Sequence, residues 1–133
     1  MQFNESPTIE QLRELQKLLS ENLEKNGIQN IYGEDDPFYL LAEDAGVSLG
    51  IATINLGSEE AELYKLYVPP THARKGVGTA LVKKAIEILQ KNQIKELHIE
   101  IAGESHDFWN RIVENREIRI YAPNKFGILL DEH

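Results

Sequence analysis

A glycine turn that opens an amphipathic helix directly after an apolar strand most constrains what this chain can fold into. The turn is Lys75-Gly76-Val77-Gly78-Thr79, and Pro69-Pro70 ends the strand before it. The first N–H groups of a helix have no intrahelical partner, and the helix dipole adds positive charge there, so this arrangement can bind an anion. The turn matches neither the Walker pattern G-x-x-x-x-G-K-[ST] nor the dinucleotide pattern G-x-G-x-x-G. On these residues alone, a helix that simply starts with glycines is an equal alternative.

The charge distribution favours the anion site. The chain has a net charge of −8, yet the stretch from Leu63 to Ile86 contains five basic residues and no acidic residue. Such an acidic chain is a poor candidate for general nucleic-acid binding, which needs a cationic face. The acidity fits a cationic substrate, and it equally fits a surface that only maintains solubility.

Hydrophobic periodicity predicts the first half of the fold. Residues 2–5 form a short strand, and Thr8 caps a helix that ends at Asn26-Gly27. The buried stripe of that helix comprises Ile9, Leu12, Leu15, Leu19 and Leu23. Three strands follow, over residues 38–43, 47–55 and 61–68, and the turn Asp44-Ala45-Gly46 joins the first two.

The second half begins with the helix of the glycine turn, which extends to about Asn92. A strand over 94–101, a short helix capped by Ser105, and strands over 118–121 and 126–130 complete the chain. We expect Asn115 to close the short helix in the left-handed conformation. The predicted order β-α-β-β-β-α-β-α-β-β indicates an α/β protein with a mixed sheet and helices on both faces.

The segment from Ala61 to Leu81 resembles motif A of the GNAT N-acetyltransferases: an apolar strand, Val-x-Pro, a basic glycine turn and an amphipathic helix. The likeness continues through Leu89, and the element order extends it to most of the chain. It implies one GNAT-like acyl-CoA N-acyltransferase domain over residues 1–133. The family usually has Gln or Arg where this chain has Ala73, with its basic residues one and two positions later.

The resemblance implies acetyl-CoA as the acetyl donor. The backbone of Leu66, Tyr67 and Val68 would pair with the pantetheine arm. The pyrophosphate would be held by the amides of Arg74, Lys75, Gly76, Val77, Gly78 and Thr79.

The strand before the turn contains a conflict of parity. Leu63, Leu66 and Val68 occupy the family's apolar positions, but 63 and 66 differ by an odd number, so strict alternation would place them on opposite faces. A β-bulge near Tyr64–Leu66 resolves the conflict. The resemblance implies such a bulge, which spreads the fourth and fifth strands apart to admit the cofactor.

Glu62 is the candidate catalytic base, because the resemblance places a glutamate eleven residues before Ala73. Its alternatives are a structural glutamate and a water chain that starts in Glu34-Asp35-Asp36, residues that also suit a turn. By the same resemblance, the Val68 N–H would stabilise the oxyanion.

The tyrosine that often acts as the general acid in this family has no counterpart at the matching position of this chain. Trp109 stands at that position, and an indole cannot supply a proton. Ala102 stands where the family often has an asparagine. The acid is therefore absent, unnecessary, or one of Tyr64, Tyr67, His106 and Tyr121.

The function implied is transfer of an acetyl group from acetyl-CoA to a primary amine, of a small molecule or a peptide, by direct attack in a ternary complex. One alternative is a GNAT-fold module that binds acyl-CoA with little or no catalysis. A second alternative is an unrelated α/β interaction module.

Composition adds the remaining expectations. The chain has no cysteine, and its four histidines lack ligand spacing, so we expect no metal site. Without a membrane-length apolar run or a signal peptide, we expect a cytoplasmic protein that does not bind membranes. Both a monomer and a homodimer remain open.

Overall fold

The computed structural model describes residues 1–21, 30–73, 75–103 and 105–130. The strands in this part of the chain are β1 (Gln2–Asn4), β2 (Phe38–Asp44), β3 (Val47–Leu56), β4 (Glu60–Tyr67), β5 (Glu96–Glu100), β6 (Ile118–Ala122) and β7 (Lys125–Leu129). The α-helices are α1 (Ile9–Ser20), α2 (Val77–Lys91) and α3 (His106–Ile112), and a 3₁₀ turn covers Pro70–His72. The predicted order of strands and helices is confirmed.

The seven strands form one sheet in the order β1-β2-β3-β4-β5-β7-β6. The β4 and β5 strands are parallel and are joined through α2, whereas the other neighbouring strands are antiparallel. A parallel pair needs a crossover connection, which α2 supplies. The predicted mixed sheet is therefore confirmed.

Helices cover both faces of the sheet. Leu40 and Leu41 are consecutive in β2, so their side chains point to opposite faces, and each belongs to a different buried cluster. The Leu40 cluster includes the apolar sides of α2 and α3, whereas the Leu41 cluster includes Leu15 and Leu19 of α1. We call these faces the α2 face and the α1 face. None of the described helices is long and apolar enough to cross a membrane.

Local signals at the first helix and the first hairpin were interpreted correctly. Thr8 caps α1 through a capping box with Gln11, as the Thr8-x-x-Gln11 spacing allows. Ala45 and Gly46 have φ values of 49° and 83°, which is the backbone of a tight hairpin turn between β2 and β3.

Three expectations about the first helix need correction or lie outside the described residues. Ile9 is 62% exposed rather than part of the buried stripe, because it lies in the first turn of α1, away from the Leu15–Leu19 contact. The helix ends at Ser20, and Leu23 and Asn26-Gly27 lie outside the described residues.

The short helix also differs from expectation at both ends. Ser105 precedes α3 but makes no capping bond, since its hydroxyl donates to the Ala102 carbonyl at 2.7 Å. Asn115 is not left-handed, because α3 ends at Ile112 with Val113 as its C-cap.

The predicted bulge in β4 is confirmed. Thr53 pairs with Lys65, whereas the next residue, Ile54, pairs with Leu63, so Tyr64 is an extra residue in β4. Leu63 and Leu66 therefore both pack in the cluster on the α2 face. The ammonium of Lys65 lies 4.9 Å from the centre of the Tyr64 ring.

Candidate functional site

The glycine turn places an open helix N-terminus at the end of β4. Gly76 is the N-cap of α2 with a φ of 78°, a conformation that glycine adopts without strain. Gly76 has no side chain to cap this end, and the first turn has no acidic residue. The backbone N–H groups of Val77, Gly78 and Thr79 therefore remain available for an external anion. Arg74, expected in this turn, lies outside the described residues.

A cleft of about 810 Å³ opens in front of this helix end, and we call it the glycine-turn cleft. It is lined by Val68, His72, Ala73, Gly76, Val77, Gly78, Thr79, Lys83, Phe108, Arg111 and Ile112. The predicted residues Val68 and Gly76 to Thr79 thus come together. Lys75 is exposed but is not among the lining residues, nor are Leu66 and Tyr67.

The structure places basic side chains at the site that were not predicted from the sequence. His72, Lys83 and Arg111 line the glycine-turn cleft, and they come from three separate segments. Lys83 belongs to the acid-free basic stretch, so the sequence carried a signal for it. Arg111 lies on α3, and only the packing of α3 against α2 brings it here. This cationic rim suits a polyanionic ligand.

Close packing fixes the turn against the sheet. A Cβ at Gly50 of β3 would lie 3.0 Å from the Tyr67 carbonyl oxygen and 3.1 Å from side-chain carbons of both Val68 and Val77. A Cβ at Gly78 would lie 3.2 Å from the Phe108 ring. Glycine at position 50 therefore lets β3, the end of β4 and the start of α2 approach one another.

The β4 and β5 strands separate on the way to this cleft. Among the described residues, β4 pairs with β5 only from Glu60 to Leu63, so the edge from Tyr64 to Tyr67 that faces β5 has no strand partner. An unpaired strand edge presents main-chain donors and acceptors to an extended ligand.

Tyr67 contributes backbone rather than its phenol to this edge. Its side chain is 1% exposed in the core on the α1 face, and its hydroxyl has no hydrogen-bond partner among the described residues. Burial, and then the Glu21 carboxylate, raise the pKa of this phenol above its ordinary value. Leu66 and Val68 pack against the cluster on the α2 face instead.

A second cleft, of about 280 Å³, lies where the β4–β5 pairing ends, and we call it the Glu62 cleft. It is lined by Glu62, His98, Ile99, Glu100, Tyr121, Lys125 and Phe126. Glu62 is exposed, and the Asn55 amide on β3 donates to its carboxylate at 3.3 Å. The open edge of β4 lies between the two clefts along the strand. Glu62 thus lies at one end of that edge and the glycine turn at the other.

Beside this cleft, a buried carboxylate is held by residues from other strands. Glu96 is 6% exposed and accepts a hydrogen bond from the Tyr121 hydroxyl at 2.5 Å, with Arg119 at 3.6 Å. Tyr121 is the extra residue of a second bulge, in β6, between Ile120 and Ala122. The pKa of the Tyr121 phenol is raised, first by this hydrogen bond to Glu96 and then by burial.

Gly127 makes room for this arrangement. A Cβ at that position would overlap the Glu96 carboxylate. The burial of Glu96 was not predicted from the sequence. Apolar and polar residues alternate in its strand, which is typical of a strand with one face in solvent.

Glu60 forms a direct hydrogen bond with Nε2 of His98, and Nδ1 of His98 lies 3.8 Å from Glu96.

Trp109, which stands where the family has its general-acid tyrosine, is a core residue. Trp109 is 5% exposed and packs edge-on against Phe108 and Phe126, at centroid distances of 4.9 and 5.9 Å. Ala102 lies just beyond β5. Of the four alternative acids, Tyr64, Tyr67, His106 and Tyr121, only Tyr121 lines the Glu62 cleft.

The acidic residues before β2 behave as a turn. Asp35 and Asp36 have φ values of 51° and 58°. Asp and Asn are the non-glycine residues that tolerate this left-handed region best. Neither these two nor Glu34 lines the Glu62 cleft.

Comparisons with known proteins agree with this geometry. The sequence model of the acetyltransferase (GNAT) family matches residues 5–111, which is more than half of the chain. No curated protein matches the sequence.

Three solved structures share the fold over nearly their whole length. Tetrahymena GCN5 has a TM-score of 0.77 at 13% identity, covering 98% of this chain and 97% of its own. The PaiA N-acetyltransferase of Thermoplasma acidophilum, in complex with coenzyme A, has a TM-score of 0.71 at 18% identity, covering 97% and 98%. An aminoglycoside 6'-N-acetyltransferase complexed with coenzyme A has a TM-score of 0.73 at 13% identity, covering 100% and 99%.

At these identities the structures establish the fold, and the sequence match establishes the family. With its strand–glycine turn–helix unit, its diverging parallel strands and this match, the chain belongs to the acetyltransferase (GNAT) family.

Proposed function

We propose that this protein, as one domain over residues 1–133, transfers an acetyl group from acetyl-CoA to a primary amine of a small molecule or a peptide. The amine attacks the thioester directly while both substrates are bound. The single observation that carries the proposal is the divergence of β4 and β5 after the Leu63–Ile99 pair. It leaves an open strand edge that runs from a carboxylate-containing cleft to a helix N-terminus.

Acetyl-CoA fits these features in order. Its pyrophosphate would bind the amides of Gly76 to Thr79, and Lys83 and Arg111 line the same cleft with compatible charge. The pantetheine arm would pair with the open backbone at Leu66, Tyr67 and Val68. The acetyl group would then lie near the end of the β4–β5 pairing, where an N–H of the open edge would donate to its oxygen. Val68 lies at the opposite end of that edge, in the glycine-turn cleft, so its N–H would serve the pantetheine arm instead.

Glu62 is our candidate for the base. A typical alkylammonium has a pKa of about 10.4, so the acceptor must lose a proton before it can attack. Glu62 is exposed to the cleft and is oriented by Asn55 from the neighbouring strand. A positioned base of this kind typically contributes about 10²- to 10⁴-fold in rate.

The acidic surface supports a cationic acceptor. The net charge is −8, and Glu60, Glu62 and Glu100 are all exposed in or beside the Glu62 cleft. A negative field of this kind raises the local concentration of ammonium groups.

The test has two measurements on the purified protein. Titration calorimetry should show acetyl-CoA binding, with protection of residues 66–79 in hydrogen exchange. Release of free thiol should then be measured over a panel of polyamines, aminoglycosides and peptide amines. Absence of binding at millimolar acetyl-CoA would reject the proposal.

One observation favours a second candidate, a domain that binds acyl-CoA with little or no catalysis. Trp109 fills the position of the missing acid and is locked in the core, so that position supplies no proton. The same panel separates the two functions: cofactor binding without thiol release for any amine indicates the binding domain.

A further inference from the structure

We propose that His98, held by Glu60, is a second proton acceptor for the acceptor amine in the Glu62 cleft. The inference rests on the proposed acetyl transfer and concerns how the amine is deprotonated. It starts from a row of neighbouring residues that crosses the sheet from β3 to β6: Asn55, Glu62, His98, Gly127 and Arg119. Neighbours in such a row point to the same face, so His98 stands directly beside Glu62.

The Glu60 carboxylate sets the state of the His98 ring. Glu60 engages Nε2 directly, which favours the tautomer with the proton on Nε2 and leaves a lone pair on Nδ1. A carboxylate that fixes one ring nitrogen so that the other acts as a base is the arrangement of hydrolytic triads. The His98 side chain is 35% exposed, so it is accessible from the cleft.

A second carboxylate, Glu96, lies 3.8 Å from Nδ1 and is itself held in place. Tyr121 donates to it, Gly127 gives it space, and the Tyr121 ring lies 5.5 Å from the His98 ring. Glu96 is therefore held beside Nδ1, where its negative charge attracts a bound ammonium.

The charges that face His98 come from every neighbouring strand. The β4 strand contributes Glu60 and Glu62, and β5 itself contributes Glu96 and Glu100. The opposing groups are Arg119 with Tyr121 on β6 and Lys125 on β7. Four carboxylates against two permanent cations favour a bound ammonium at this position.

The proton balance requires such an acceptor. The ammonium N–H bond breaks, and its proton moves to the Nδ1 lone pair of neutral His98. The freed nitrogen lone pair forms the C–N bond with the acetyl carbon. The C–S bond then breaks with its electron pair on sulfur, and the thiolate takes the second amine proton. The imidazolium then releases the Nδ1 proton to water in the cleft, which restores the tautomer with its proton on Nε2, toward Glu60.

The decisive experiment uses the Glu62→Gln background, in which His98 is the remaining acceptor. We expect residual turnover above the uncatalysed rate at neutral pH. Adding His98→Gln should lower that residual rate about tenfold or more at neutral pH, and the two rates should converge near the amine pKa of about 10.4, where the free amine needs no base. Adding Glu60→Gln should also lower the residual rate at neutral pH, since the ring then loses the contact that leaves Nδ1 as the acceptor.

Glu59→Gln is the matched control, because Glu59 is an exposed glutamate one residue away that pairs with Lys95 instead. It should leave the residual rate unchanged. Each variant should bind acetyl-CoA as the parent does, which shows that it is folded.

Three results would overturn the role of His98: no turnover by Glu62→Gln above the uncatalysed rate, a residual rate at neutral pH that survives His98→Gln, or equal residual rates in the Glu59 and Glu60 variants. A structural role alone would lower the rate of the His98 variant by the same factor at every pH. Failure of the parent protein to release thiol with any amine would instead reject the proposed transfer itself.

Discussion

Leu63 and Leu66 lie on the same face of the sheet, although three positions separate them in one strand. Tyr64 is the extra residue that shifts the alternation. Two features of β4 therefore meet at the bulge. Leu63 and Leu66 both pack in the core on the α2 face, and the strand stops pairing with β5 after Leu63.

Deletion of Tyr64 tests this link. Without the extra residue, Leu63 and Leu66 keep their face under strict alternation, so the core should survive while the added twist of the bulge is lost. If two backbone hydrogen bonds to the pantetheine arm are lost at about 1 kcal/mol each, acetyl-CoA binds roughly 30-fold more weakly. Calorimetry gives the affinity, and thermal unfolding shows whether the fold persists. Unchanged affinity in a folded deletion variant would separate the bulge from cofactor binding.

Gly76→Glu and Gly78→Glu should each abolish acetyl-CoA binding. Both place a carboxylate at a helix end that we assign to the pyrophosphate, and like charges repel. Gly76→Ala is the matched control: its Cβ meets nothing within 4 Å, although the φ of 78° is strained for alanine. It should cost about 1 kcal/mol of stability and retain most of the affinity. If both glutamate variants bind normally, the phosphates lie elsewhere.

Glu62→Gln should slow turnover by about 10²-fold near neutral pH. The defect should shrink as pH approaches the amine pKa of about 10.4, since the free amine then needs no base. Glu59→Gln removes the same charge three residues earlier in the chain and should leave the pH profile of turnover unchanged. A pH profile of Glu62→Gln that parallels the parent at every pH would reject the role of Glu62 as a base.

Tyr121→Phe should destabilise the protein at neutral pH and cease to do so at high pH. The hydrogen bond to Glu96 raises the pKa of the phenol in the folded protein above its unfolded value of about 10. A raised pKa stabilises the fold fully below the unfolded pKa, and this stability is lost as pH rises through the folded pKa. Urea unfolding of both proteins at pH 8 and above pH 11 measures the difference. A gap that stays constant with pH would show that the phenol proton is not involved.

Much of the fold could be predicted from sequence because its signals are local. The 3.6-residue period of α2, the alternation in β3 and the Thr8-x-x-Gln11 capping pattern each involve residues close in the chain. The bulge was also predictable, because the odd spacing of Leu63 and Leu66 cannot fit one face otherwise.

The cap at Ser105 and the left-handed turn at Asn115 were wrong for a related reason. Ser105 has two acceptable partners, an amide of its helix or the Ala102 carbonyl, and the sequence does not rank them. Asn115 tolerates the left-handed conformation but does not require it, and α3 had already ended at Ile112.

The sequence by itself determined the order of elements and the glycine turn, since each depends on neighbours within a few residues, and its resemblance to a family indicated Glu62 as a candidate. The tertiary structure alone decided that Glu60, Glu96 and Tyr121 lie around His98, beside the Glu62 cleft. These residues come from β4, β5 and β6, which the sheet order β4-β5-β7-β6 brings together from distant parts of the chain. Strand pairing at long range leaves no regular spacing in the sequence, so only the assembled sheet could show that Glu62 has a histidine at its side.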